Sequence, residues 1–451
     1  MIAPTPQLRR CLGGLEITSQ AVATIGLTLT AVINIPEAAR SAGHATAVCY
    51  LLALAAILLV AETLVLFRRL PGEANGIAAY VGAGLGDRPG ALAAWALLLG
   101  YGGTMLACLV FFGSYLDHLL GLVGLASPPP LLGFIVGGVG CLALARRDVR
   151  FSTGTMLATE SLSVLIVLGL CVLVLFHGGP QADRAALAPL GDTTNQIRSG
   201  LMVAVLSFIG FESAATLGAE SLRPERDVPR AIRISVLLAG LLFLIWAVVL
   251  TEGLTWLPPA DRTGVDPIAD LADRLGWAGG GEWIRAGAFL CLFGSTLGSL
   301  NALGRVAFDL AQSGVLPQPL ARVHPRFLTP ATALLVTTVP LMLIGVGLEL
   351  RRKSVSEIFD QLGGFAVLAF LLVYGMVALA ALRHPLPGTT RLRRLLVAGG
   401  SLVAVLAIGL GYLSTAIGSQ NQMLATFLIL LAVGGLLVLR SPRSDPRELS
   451  S

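Results

Sequence analysis

Apolar residues in this chain gather into long runs, and polar residues are confined to short segments between them. Runs of this length fit a membrane crossing, which needs about 20 apolar residues, and exceed what a buried soluble helix uses. About twelve such runs are expected to be helices. They are Ile17–Ala42, Thr46–Phe67, Gly90–Leu120, a short one at Leu131–Ala145, Thr153–Phe176 and Ile197–Leu222. The second half supplies Ile232–Leu254, Ile284–Leu303, Pro330–Leu348, Ser356–Leu382, Leu395–Ile417 and Met423–Leu439. They are called spans one to twelve below.

Span six differs from the others. Within it stands Ser207-Phe208-Ile209-Gly210-Phe211-Glu212-Ser213, at what should be membrane depth. Glycine weakens a helix, and a carboxylate in hydrocarbon costs roughly 3 kcal/mol. Both together predict a helix that breaks beside a water-filled cavity rather than against lipid. The span then leaves through Glu220 and a charged turn, Arg223-Pro224-Glu225-Arg226-Asp227-Val228-Pro229-Arg230.

Composition agrees with a membrane chain and excludes most soluble classes. Apolar residues make up 55% of the 451 and charged ones 13%, about half the share of a soluble domain. The net charge of +5 does not imply nucleic acid, because the basic residues sit in loops instead of forming a stripe. Most of those loops fall on one side if the N-terminus is cytoplasmic, which predicts both termini inside. The cluster Arg351-Arg352-Lys353 runs against that rule. Of the 31 basic residues only Lys353 is lysine, as GC-rich bacterial codon usage would give. Arg9-Arg10 precedes a run too long for a signal peptide and without a cleavage site, so no cleavable leader is expected.

Candidate chemistry of other kinds is missing. The six cysteines are scattered, with no CxxC or Cys/His spacing, and read as small buried hydrophobes. No histidine has a partner at metal-ligand spacing and no phosphate-binding loop is seen, so neither a cofactor nor ATP is expected. No nucleophile–base pair points to an enzyme.

The Phe-Gly-Phe-Glu-like core of span six and its proline-bounded basic loop resemble the sixth helix of amino acid permeases in the amino acid–polyamine–organocation superfamily. Leu70-Pro71-Gly72-Glu73-Ala74-Asn75-Gly76 is similar to the family's loop after the second span, with Asn75 where glycine is usual. Gly304-Arg305 and Gly314-Val315-Leu316-Pro317 resemble its connector after the eighth span, with Gln312-Ser313 replacing the usual arginine–aspartate pair. The resemblance covers most of the first ten spans. It implies an all-α polytopic fold with a five-plus-five inverted repeat, residues 17–176 against 197–382, and two peripheral helices at 395–439. Spans one and six would break at the midplane and hold the substrate. Independently of family, half-helix N-termini can hold a carboxylate and unwound carbonyls an ammonium.

With Pro36 as anchor, the family's glycine–small–glycine of span one falls on Leu29-Thr30-Ala31, and Gly26 is the nearest glycine. The expected substrate-binding set is Gly26, Thr28, Thr30, Ala31, Tyr101, Ser207, Phe208 and Gly210. Thr28 and Thr30 could equally bond their own helix carbonyls, and Tyr101 and Phe208 could simply pack. Glu212 and Glu160 are the candidates for proton coupling, with a structural role open for each. Glu62 reads as an interfacial residue beside Arg68. Ser295, Ser299 and Asn301 read as helix–helix glue. Gly133 and Gly137 form a GxxxG that carries no weight in so glycine-rich a chain.

The function expected is a secondary transporter of a bacterial inner membrane, moving a small amino acid or related amine by alternating access. Coupling to protons or to counter-exchange both fit, and lipid is the other partner. A transport-incompetent sensor on the same fold would explain the missing glycines, and a channel is a further alternative. Substrate, coupling ion, direction and oligomeric state are not set by the sequence.

Overall fold

The structure, a computed structural model, describes residues 8–68, 70, 76–122, 130–177, 193–262, 264, 266–351, 354–419 and 421–441. Among these the chain is mostly helical, with one isolated backbone bridge, Leu12 to Ser221, and no named strand. Ten helical stretches are long and apolar enough to cross a membrane. The first, Gly14–Leu66, has 53 residues, more than twice what one crossing needs. It is interrupted at Gly43, whose φ of 55° ends span one before Thr46–Leu66 begins. Pro130–Ala145 is a shorter apolar helix.

The polarity is inverted relative to a soluble bundle. Leu165, Leu175, Leu241, Val248, Leu343, Val403, Leu410 and Ile429 are among the large apolar residues on the outer surface. Polar side chains such as Gln20, Thr24, Glu160, Glu212 and Arg305 lie inside. Lipid rewards that arrangement, since an internal polar group finds protein partners there and an outer one would find none. Spans three and eight, now Asp87–Leu122 and Gly280–Gln312, form the centre of the scaffold. Spans eleven and twelve, Arg391–Ser419 and Asn421–Arg440, lie against spans ten, two and three.

Several expectations need correction. Span eight does not end at Leu303 but runs on to Gln312, which takes Arg305 out of the loop and into the bundle, where it is 1% exposed. Glu62 pairs with Arg233, at 2.9 Å for the second of two bonds, and with Arg393 at 3.3 Å, not with Arg68. The GxxxG does matter for packing: a Cβ on Gly133 would lie 2.8 Å from the Gly113 Cα of span three. Short helices at Ile77–Leu85 and Pro267–Arg274 lay below the length a span-based reading detects. Most of the loop resembling the family's motif, residues 71–75, and part of the Arg351–Lys353 cluster lie outside the described residues.

Candidate substrate site between two broken helices

Both expected breaks are present. Span one runs as Gly14–Ile25, stops at Gly26 with φ 70° and ψ 69°, and resumes as Leu27–Leu29. It then widens into a π-helical turn over Thr30–Asn34 and regains α geometry from Ile35 to Ala42. The break therefore falls at Gly26, three residues before the Leu29-Thr30-Ala31 expected from Pro36. The reason is local: a left-handed residue is easily supplied only by glycine, and Gly26 is the sole glycine between Gly14 and Gly43. Span six runs as an α-helix from Thr193 to Leu206, turns through Ser207–Gly210, and continues as a 3₁₀ helix over Phe211–Glu220. Gly210 has φ 117°, and a Cβ there would lie 2.6 Å from the carbonyl carbon of Thr24. The two breaks thus touch each other.

Each break is held by a carboxylate from the chain itself. The Leu27 N–H, first of the resumed half of span one, donates to Glu160 Oε1 at 2.7 Å from span five. The Leu29 N–H donates to Cys291 Sγ at 3.3 Å, and that thiol lies 3.8 Å from the same Glu160 oxygen. Cys291 is buried, as expected of a small hydrophobe, and also makes this polar contact. In span six, the Gly210 N–H donates to Glu212 Oε2 at 3.0 Å, and the Tyr374 hydroxyl of span ten donates to the same oxygen at 2.7 Å. Tyr374 was not identified from the sequence; its only signal is a hydroxyl in an otherwise apolar run. The second oxygens, Glu160 Oε2 and Glu212 Oε1, are buried without a partner among the described residues.

The remaining expected residues divide into three groups. Thr28 donates to Ser163 Oγ at 3.0 Å, so it ties span one to span five. Ser207 bonds its own helix at Val203 O and also meets Asn34 and Tyr50, each at 3.0 Å. Phe208 is fully buried and packs edge-on against Phe243 at 5.0 Å between ring centres. Thr30 and Tyr101 are fully buried; the Thr30 hydroxyl has no hydrogen-bond partner among the described residues, and the Tyr101 hydroxyl interacts with the Glu212 carboxyl. Ala31 is buried beside Thr30. Among the glue residues, Ser295 donates to Ala23 O at 2.8 Å and Asn301 to Ser152 Oγ at 2.7 Å.

Above the breaks lies a cavity of about 950 Å³. Its lining includes Val32, Asn34, Val203 and Leu206, one to two turns along the chain from the breaks, together with Glu37, Asp266 and Asp360. The opposite end is closed. Cys11 and Leu12 donate from their backbone to Glu220 O at 2.9 and 3.0 Å, and Leu222 donates to Leu12 O at 2.9 Å. Arg150 holds the Cys11 carbonyl with two bonds, at 2.9 and 2.6 Å. Glu220 and Arg305, each 1% exposed, form a two-pronged ion pair between spans six and eight.

Relatives agree with this architecture. The sequence profile of the amino acid permease family matches residues 16–448. Cationic amino acid transporter 4 of Mus musculus is 27% identical over 393 residues, covering 82% of this chain, and this chain spans 59% of that relative's length. The branched-chain amino acid permease BcaP of Bacillus subtilis is 24% identical over 343 residues, with 72% of each chain covered. Among solved structures, MhsT in complex with L-phenylalanine superposes with a TM-score of 0.62 at 16% identity, over 90% of this chain and 99% of that one. The chain is thus a multi-pass membrane protein that belongs to the amino acid permease family.

Proposed function

We propose that this protein is a secondary transporter of a small amino acid or related amine, working by alternating access in a bacterial inner membrane with both termini cytoplasmic. The observation that carries the reading is the pair of touching breaks at Gly26 and Gly210, with a cavity beyond them on one side and a closed seal on the other. The names of the relatives support the substrate class: a cationic amino acid transporter, a branched-chain amino acid permease, and a structure holding L-phenylalanine. In this reading the substrate enters through the cavity and settles against the breaks among Gly26, Thr28, Thr30, Ala31, Tyr101, Ser207, Phe208 and Gly210. The inner seal opens only after the outer path has closed over it.

Coupling to protons runs through Glu212, with Glu160 as the second candidate. The Glu212 carboxylate is held by one donor on its own span and one on span ten. A movement that separates those spans removes the Tyr374 donor, so the two conformations hold a proton with different affinity. By reciprocity the proton then biases the two conformations, which is what coupling requires. The test is uptake into proteoliposomes with and without a pH gradient. Glu212→Gln keeps shape and should retain substrate exchange while losing pH-driven accumulation. If the variant accumulates substrate as the parent does, Glu212 is a structural acceptor. Binding of substrate without any uptake by the parent would favour the sensor instead.

A further inference from the structure

We infer that an anionic phospholipid binds in a groove that spans seven and eleven form over span two, with its headgroup on Arg230, Arg233 and Arg393. The inference does not depend on what the protein transports.

Three helices bring charge to one level of the bilayer. Span seven, Pro224–Leu254, has 31 residues and is about 46 Å long at 1.5 Å per residue, against about 30 Å of hydrocarbon. Its first turns therefore stand among headgroups, and they carry Arg230 and, one turn on, Arg233. Span eleven opens with Arg391, Leu392 and Arg393. Glu62 lies one turn before Leu66, the end of span two. The three meet at the closed end of the molecule, where span seven follows the bridge from Leu12 to Ser221.

Their charges do not cancel. The single Glu62 carboxylate is shared by two guanidinium groups, with Arg233 Nη2 at 2.9 Å and Arg393 Nη2 at 3.3 Å. Neither guanidinium bonds to any other group among the described residues. Arg230 and Arg391 are exposed, and their side chains bond to nothing among those residues. Other arginines at this end are matched one to one: Arg9 with Asp148, Arg223 with Asp227, Arg305 with Glu220. The trio around Glu62 keeps a net positive charge, and its neighbours on spans seven and eleven add to it.

Apolar stripes run from this basic end toward the middle of the membrane. Ile234, Leu237, Leu241 and Val248 are exposed and share one face of span seven with Arg230, at steps of three, four or seven. Leu392, Leu396, Val403 and Leu410 do the same on span eleven. Both helices pack closely on span two, Gly240 against Leu54 and Gly400 against Leu59. Because Glu62 is reached from both sides, its face of span two, with the exposed Leu51 and Ala55, is the floor between them. A guanidinium forks onto a phosphate with two bonds, and basic residues at the end of a membrane helix favour anionic lipid. A zwitterionic lipid brings its own cation to such a place, and a soluble anion has no chains to lay along the stripes. An anionic phospholipid supplies both halves, and its phosphate adds a second tie between spans seven and eleven beside Glu62.

The experiment titrates the delipidated full-length protein in mild detergent with phosphatidylglycerol or phosphatidylcholine of the same acyl chains. Binding is read by thermal shift and by lipid retained in native mass spectrometry. Phosphatidylglycerol should bind at least ten times more tightly than phosphatidylcholine. Arg230→Gln and Arg393→Gln should each cut that preference at least threefold, whereas Arg440→Gln, at the far end of span twelve, should not. Both arginines are exposed and Glu62 keeps Arg233, so the variants are expected to fold; the comparison of lipids on the parent protein decides the matter if they do not. Equal binding of the two lipids, or an equal loss in Arg440→Gln, overturns the inference in favour of a diffuse surface charge. Glycerophosphoglycerol that stabilises the protein as well as the lipid does overturns it in favour of a plain phosphate site. Cross-linking between two copies of Ile234→Cys, on a background lacking the six cysteines, would give the groove to a second chain and overturn it too.

Discussion

Replacing Arg305 by methionine tests how the seal at the closed end is held. The arginine gives Nε and Nη2 to the two oxygens of Glu220 and Nη1 to Asn301 O at 2.9 Å. Both partners are 1% exposed, so water cannot take over when one is removed. A buried carboxylate left without its cation typically costs about 3 to 5 kcal/mol, whereas replacing a whole buried pair by packed neutral residues is often close to neutral. Arg305→Met and Glu220→Leu should therefore each destabilise the protein by roughly 3 to 5 kcal/mol, and the double variant by less than either. Reversible unfolding in mixed micelles with a rising fraction of denaturing detergent measures this. A second readout is the thiol of Cys11, 5% exposed and held through its backbone to Glu220 O. It should react faster with a maleimide in the single variants. Losses below about 1 kcal/mol, or a double variant that loses the sum of the singles, would refute a buried ion pair as the tie between spans six and eight.

Gly210→Ala should abolish substrate binding in a protein that still folds. Its Cβ would press on the Thr24 backbone, and alanine at φ 117° is strained by at least about 1 kcal/mol; unchanged affinity on titration would move the site elsewhere. Orientation can be read on a background lacking the six cysteines. A cysteine at Ala260 should react with an impermeant reagent from outside, and one at Arg226 only after the membrane is opened. The reverse pattern would invert the topology, and labelling from the same side would break the order of spans between them.

The hydrophobic pattern located the long helices because lipid imposes length and polarity on each one separately. Span six was also legible, since Gly210 and Glu212 stand together where neither suits a continuous helix. Span one shows what a borrowed anchor misses. Pro36 pointed to Leu29–Ala31, but backbone geometry put the turn at Gly26, and the residues after it coiled into a π turn rather than opening. The partners of the carboxylates could not be read at all. Tyr374 and Cys291 are ordinary residues of apolar runs, and they matter only because packing brings spans eight and ten against the breaks. Arg305 was assigned to the connector by its resemblance to the family's motif, although the helix continues through Gly304 as far as Gln312.

The bridge between Leu12 and Ser221 joins the start of span one to the end of span six through peptide groups alone. Its three bonds share two residues, so they cannot be lost one at a time without stranding a buried donor or carbonyl. This closed end should then part as a latch does, in a single step, rather than by gradual loosening. Because the latch is made of backbone, most side-chain replacements at Leu12 and Ser221 would leave its grip intact, whereas a proline at position 12, which has no N–H to give, would hold it ajar.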